Sequence, residues 1–197
     1  MDRFLDATAE LLEDRPFEEI SVQDIVRRAG RSVGSFYGRF RDKDGVLLAL
    51  AERVHRRRLA LAREMFATSR WEGRSTAELL RTIGVVASEL FSEPKNLNLA
   101  LLGRAVSPGP FRELLVECLS EFVALWSEVI LSRSKDLPFD EPEAEVRWAV
   151  TILLALSLDA VLLGSWQFCV SDASSSGERH AAPEALLGRL LCLDCRD

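Results

Sequence analysis

Between Ser21 and Lys43 the chain carries Arg27, Arg28, Arg31, Arg39, Arg41 and Lys43 against two carboxylates, Asp24 and Asp42. A surplus of positive charge on so short a stretch suits phosphate oxygens, because neutralising a nucleic-acid backbone releases its condensed counterions. Arginine adds a second capacity. Its planar fork of donors matches the O6 and N7 acceptors of guanine, a pairing that discriminates between bases by about 1–3 kcal/mol. Gly34 and Ser35 stand within the basic run, where small side chains let a short helix approach a surface closely.

Three other patterns could do chemistry, and each has a simpler account. Gly30-Arg31-Ser32-Val33-Gly34 fits the spacing of a serine-hydrolase nucleophile elbow. That elbow needs a strand leading into a sharp turn, and no strand–helix alternation is visible here. The two histidines, His55 and His180, fall in a basic helix and a polar loop. Cys192-x-x-Cys195 has metal or redox spacing, but a structural zinc site takes four ligands, and only Cys169 and His180 remain as candidates. Cysteine as a small apolar residue of a terminal helix explains the pair. Glu141, Glu143 and Glu145 sit at a helix start, where acidic groups favour the helix dipole. The expectation is therefore a protein that is not an enzyme, with no catalytic residue, metal or cofactor.

The elements that must position the basic run are written into it. Ser21 is an N-cap and Asp24 follows three residues later, a capping-box spacing. Val22, Ile25, Val26 and Ala29 then form one apolar helical stripe, and Gly30 ends it. Ser32 caps the next helix, in which Val33, Phe36, Tyr37 and Phe40 are expected on the buried side. Two helices of this length joined by a few residues containing Gly make a helix-turn-helix.

The run Ala29-Gly30-Arg31-Ser32-Val33-Gly34-Ser35-Phe36-Tyr37, followed by Phe40, Lys43 and Asp44, resembles the DNA-binding signature of the tetracycline-repressor (TetR) family of regulators. The resemblance covers about the first quarter of the chain and extends beyond it only in length and helical character. Arg31 stands in the turn where that family usually has an aliphatic residue, and Arg39 where members often carry a His. By this resemblance Ser21, Tyr37 and Lys43 match phosphate-binding positions that set register, and Val33, Gly34, Ser35 and Arg39 match positions facing base edges. Arg31 and Ser32, in the turn, complete the expected DNA-facing set. The implied partner is a double-stranded, (pseudo)palindromic operator bound by a homodimer.

Composition is that of an ordinary globular protein: 197 residues, 48% hydrophobic and 28% charged. The net charge of −6 argues against nucleic acid until its distribution is read. Residues 1–63 are net positive and residues 64–197 strongly negative, so a basic head sits on an acidic body that stays off phosphates. No secretory signal follows Met1, and Cys118, Cys169, Cys192 and Cys195 read as reduced thiols, which points to the cytoplasm. Trp148 to Ser171 is long enough to cross a bilayer, but Asp159 lies near its middle, where a carboxylate costs about 2.5–3.5 kcal/mol. A helix apolar all round is also what a helix buried between subunits looks like, and no membrane partner is expected.

Along the chain, helices are expected over Asp2 to Asp14, from Gly45 to about Phe66, from Ser75 to before Pro94, over Asn96 to Val106, through Phe111 to Val129, from Pro142 to about Val170, and over Ala182 to Leu193. The fold class is all-α, with a three-helix DNA-binding head over residues 1–45 and a helical ligand-binding and dimerisation body of about six helices over 46–197. Phe91, Arg104, Phe122, Trp126 and Trp148 are candidates for a pocket taking a small apolar or aromatic effector, the alternative being that the aromatics are simply core. Leu153, Ser157, Ala160, Gly164 and Gln167 form a stripe of mostly small residues, the expected dimer contact, assisted by the Pro183 to Leu193 helix. Internal packing within one subunit is the competing account. The functional expectation is a ligand-responsive transcriptional repressor. The rivals are a small-molecule carrier or enzyme with a vestigial head, and a helical interaction module.

Overall fold

The computed structural model describes residues 2–90, 95–163, 187–188 and 190–193, with the backbone alone at 68, 160, 161 and 163. Among them are eight α-helices and no strand: α1 (Asp2–Asp14), α2 (Val22–Ala29), α3 (Val33–Tyr37), α4 (Lys43–Met65), α5 (Thr76–Leu90), α6 (Lys95–Ala105), α7 (Pro110–Leu131) and α8 (Pro142–Leu163). Short 3-10 turns stand at Phe17–Glu19, Thr68–Trp71 and Ser134–Asp136. No helix among the described residues is long and apolar enough to cross a membrane.

The chain forms two compact units, each made of two separate stretches of sequence, whereas sequence order suggests a single boundary near residue 45. The first unit comprises Met1–Arg58 and Glu93–Cys118, the second Leu59–Ser92 and Leu119–Asp197. Helix α6 and the first half of α7 therefore belong with the head. The reason is apolar: Leu97 and Ala100 of α6 share one buried cluster with Phe4, Leu12, Phe17, Phe36, Phe40 and Leu47. Sequence order assigns α6 to the body, and its own periodicity is silent about which core it joins.

In the first unit, α1 presents Phe4, Leu5, Thr8, Leu11 and Leu12 inward, as its 3.6-residue spacing requires. Thr8 is fully buried, and its hydroxyl donates to the Phe4 carbonyl one turn back at 2.8 Å, so burial leaves no unmet donor. Phe4 meets Phe36 edge-on at 5.6 Å between ring centroids and Phe40 at 6.0 Å, the T-shaped geometry that ring quadrupoles favour. Val46, Leu47 and Leu50 of α4 close this core.

The second unit is built around Leu79, Leu80 and Ile83 of α5, Phe122, Trp126 and Ile130 of α7, and Val146, Val150 and Leu153 of α8. Ser75, just ahead of α5, accepts from the Glu78 N–H at 3.1 Å, the cap its spacing announces. Leu187 and Leu191, from the expected last helix, are buried in the same cluster. The loop at residues 71–74 is held by Arg133, whose guanidinium donates to the carbonyls of Trp71 and Arg74.

Candidate nucleic-acid interface

The helix pair α2–α3 is organised at its ends. The Ser21 hydroxyl accepts from the Asp24 N–H at 3.1 Å, and the Asp24 carboxylate accepts from the Ser21 N–H at 3.0 Å, so the capping box is complete. The Ser21 hydroxyl also donates to Asp24 at 2.7 Å. These bonds, with lesser help from Arg15 and Arg27, lower the Asp24 pKa to about 2. Gly30 adopts φ 62°, and the Arg31 N–H reaches back to the Val26 carbonyl at 2.9 Å, closing α2 with a left-handed residue that costs Gly little. Ser32 then caps α3, its hydroxyl accepting from the Ser35 N–H at 3.1 Å. That role, between two helices, leaves the G-x-S-x-G spacing with no strand and no elbow.

Helix α3 has one buried side chain, Phe36. The expectation that Val33 and Tyr37 join the core is corrected: Val33 is 41% and Tyr37 55% exposed. Tyr37, one residue on from Phe36, is turned about 100° away from the core, whereas Val33 shares the side of Phe36 and is exposed because it stands at the first, outermost position of the helix. Phe36 and Phe40 anchor it, and Tyr37 stands outside with its ring edge-on to Phe36 at 5.4 Å. Val33, Gly34, Tyr37 and Arg39 thus share an exposed surface with Arg31 and Ser32, while Ser35 is half-buried. Beside it runs an open groove lined by Val26, Arg27, Gly30, Arg31, Ser32 and Ser35.

Charge is sorted by partner. Arg27 pairs with Asp24 at 2.5 Å and Arg28 with Glu10 at 3.2 Å. Among the described residues no carboxylate pairs with Arg31, Arg39 or Arg41. Arg39 makes one long contact, 3.4 Å to the Ser35 hydroxyl. Three exposed guanidinium groups near α3 in sequence thus have no acidic partner among the described residues.

Lys43 does not belong with them, contrary to the phosphate role expected of it. Its ammonium donates to the Phe17 carbonyl at 2.8 Å and the Ile20 carbonyl at 2.9 Å, and stands 4.5 Å from the centre of the Phe17 ring. An ammonium has three donors and no acceptor, so this lysine is spent on the turn before α2. The Ser21 hydroxyl proton and its N–H likewise both go to Asp24. Arg27, whose charge is plain in the sequence, borders the groove without having been placed there. The signal was its position in the last turn of α2, next to the turn.

The pocket candidates fall in different places. Phe122 and Trp126 are buried together in the second unit, ring centroids 5.3 Å apart, with Phe66 edge-on to Trp126. Trp148 is 59% exposed, Arg104 belongs to the first unit, and Phe91 lies outside the described residues. The dimer stripe is corrected where it can be seen. Leu153 and Ser157 are buried in their own subunit, Ser157 donating to the Leu153 carbonyl at 2.8 Å. The Ala160 side chain, Gly164 and Gln167 lie outside the described residues, as do Cys169, His180 and Cys195, while Cys192 is exposed.

Residues 4–50 match the family described as bacterial regulatory proteins, tetR family. The match is confined to the head, about a quarter of the chain. Over 49 residues the chain is 55% identical to the HTH-type transcriptional regulator EthR of Mycobacterium tuberculosis, covering 24% of this chain and 23% of EthR. The chain thus matches less than a quarter of that relative's length. A TetR transcription regulator from Haloarcula marismortui superposes with a TM-score of 0.71 over 97% of this chain and 95% of its own, at 16% identity. FadR of Bacillus subtilis, solved in complex with stearoyl-CoA, does so with a TM-score of 0.62 over 96% and 95%, at 17% identity. At such identities the likeness shows that the all-α tetR-type fold extends through the body.

The placement of Lys43 in the head has a measurable consequence. Lys43→Met leaves the Phe17 and Ile20 carbonyls without their donor, at about 1.5–3 kcal/mol for a charged hydrogen bond. The variant should melt earlier, while the slope of log affinity against log salt for duplex DNA stays within a few tenths of wild type. A slope lower by about one would restore Lys43 to the phosphates.

Proposed function

We propose that the protein is a sequence-specific DNA-binding transcriptional regulator, a ligand-responsive repressor working as a homodimer in the cytoplasm. The observation that carries this is the exposed edge of α3, where Val33, Gly34 and Tyr37 stand among Arg31, Arg39 and Arg41 with no carboxylate pairing those arginines. An edge of small and apolar side chains fits the major groove, where the thymine methyl and the base-edge donors and acceptors are read. Flanking cations supply the phosphate contacts that set register. Selection of bound sequences from random duplex DNA tests the reading and should return a two-fold symmetric site. Arg39→Ala should relax the preference at particular base pairs by about 1–3 kcal/mol and leave the others. Equal retention of all sequences by wild type would remove the regulator reading.

For the effector, support comes from α7. Trp126 is fully buried, and among the described residues neither its indole N–H nor the neighbouring Ser127 hydroxyl has a hydrogen-bond partner. Buried donors left unmatched are rare, and an acceptor brought in by a bound molecule accounts for them. The surroundings, Phe66, Phe122 and Ile130, are apolar, which favours a neutral, largely hydrocarbon or aromatic compound with an oxygen acceptor. The stearoyl-CoA bound by the structurally similar FadR accords with an apolar effector class. A ligand preferring the DNA-incompetent state lowers DNA affinity by population shift. Long-chain acyl esters and aromatic esters should change tryptophan emission in wild type, and the change should weaken in Trp126→Phe. Identical titrations in both proteins would exclude Trp126 from the site.

For the dimer, support comes from the outer face of α8. Trp148, Thr151, Ala155 and Leu162 are exposed along one stripe, opposite the buried Leu153 and Ser157, with Trp148 at 59% and Leu162 at 57%. A second copy of α8, related by two-fold symmetry, covers such a face and matches a two-fold DNA site. Leu162→Glu should give a folded monomer by sedimentation that binds the symmetric site far more weakly. A variant that remains a dimer would move the interface elsewhere.

A further inference from the structure

We propose that Arg104, on α6, is a positioning residue for DNA recognition, holding the turn before the helix-turn-helix against the start of α4. The inference rests on the DNA-binding reading above and names a residue that touches no DNA in it. The Arg104 guanidinium donates through Nε to Asp44 at 2.9 Å and through Nη1 to Glu18 at 3.1 Å. Nη1 also reaches the Ala100 carbonyl of its own helix at 3.1 Å, which orients the fork. Asp44 is in the first turn of α4, next to Lys43, and Glu18 is in the 3-10 turn Phe17–Glu19. One side chain thus bridges the two segments that Lys43 bridges from the other direction.

Phe17 is where the two bridges meet. Its ring is fully buried, and it lies 4.5 Å from the Lys43 ammonium and 4.9 Å from the Arg104 guanidinium carbon. Two cations this close to one ring would repel without compensation. Here Lys43 is neutralised by carbonyl dipoles and Arg104 by two carboxylates, so both add cation–π attraction to the packing. The Glu18 carboxyl is held below its usual range, by a backbone N–H at its own position and then by Arg104.

Helix α6 is itself anchored to the first unit. Asn96 donates to the Leu12 carbonyl at 2.8 Å, and Leu97 and Ala100 lie in the head's core. Arg104 is therefore presented from a fixed base, and its side chain is only 22% exposed. The turn it grips runs directly into Ser21, the cap of α2, so a change at residues 17–20 shifts the entry angle of the helix-turn-helix. Isolated exposed ion pairs contribute little to stability. A fork fixed on two carboxylates and a buried ring restricts geometry instead, and geometry is what base recognition requires.

The test uses the full-length protein and the symmetric duplex recovered by selection, with anisotropy titrations at several salt concentrations. Arg104→Ala should weaken binding by between about two- and thirtyfold, the range of remote coupling effects, with the salt slope unchanged. Arg104→Lys, which keeps the charge and loses the fork, should recover only part of the affinity. The decisive variant is E18Q/D44N. Removing two carboxylates from a DNA-binding head ought to strengthen binding through charge alone, so weaker binding there marks lost positioning. Adding Arg104→Ala to that pair should cost nothing further. Unchanged or tighter binding by E18Q/D44N overturns the proposal, as does a salt slope reduced by about one in Arg104→Ala, which would make Arg104 a phosphate ligand. If Arg104→Ala does not fold, E18Q/D44N alone decides. Failure of wild type to select any site would instead remove the regulator reading and leave this one without an object.

Discussion

Burial of Phe36 is the contact on which the exposed edge of α3 depends. A helix of five residues has too few internal hydrogen bonds to persist alone, since the first turn costs more order than it returns. It persists here because its one inward residue packs against Phe4 and Phe40 and because Ser32 caps its start. Everything that faces outward does so because Phe36 faces inward. Fixing one residue of so short a helix fixes the directions of Val33, Gly34, Tyr37 and Arg39 together.

Around that edge, the cations divide by what the fold has already given them. Arg27 and Arg28 meet carboxylates, Lys43 meets carbonyl dipoles, and Arg104 meets both an aromatic ring and two acids. Arg31 lies in the turn before α3 and Arg39 and Arg41 in the segment after it, all three exposed, and among the described residues no carboxylate pairs with them. A basic stretch read as one electropositive patch is in the folded protein two populations, one structural and one available. The structural cations gather at Phe17, where the turn entering α2 must be fixed against α4.

The body shows how a helix apolar on every side resists reading. Helix α8 carries Val146, Ala149, Val150, Leu153 and Leu154 inward and Trp148, Ala155 and Leu162 outward. Both stripes look alike in hydropathy, and the smaller residues of the inward stripe made it resemble a site of close helix contact. Small size also suits a tightly packed interior, which is where Leu153 and Ser157 reside. Trp148, a pocket candidate with Phe122 and Trp126, is turned by its position on the wheel to the exposed face of α8.

The sequence by itself determined the all-α class, the bounds of α1 to within its own ends, the capping box at Ser21 and Asp24, the left-handed Gly30 and the cap at Ser32. These are local: each depends on residues three or four apart, and short-range backbone chemistry is written in short-range order. The tetR-type signature was legible for the same reason, being a run of neighbouring residues. Tertiary structure alone decided that α6 joins the head, that Lys43 and Arg104 converge on Phe17, that Tyr37 leaves the core, and which face of α8 is free. Each of those is a choice among partners distant in the chain, as Arg104 is from Glu18, and no periodicity encodes which distant partner a side chain will find. What decides it is the cost of leaving apolar surface or a charge unmatched once the helices are packed.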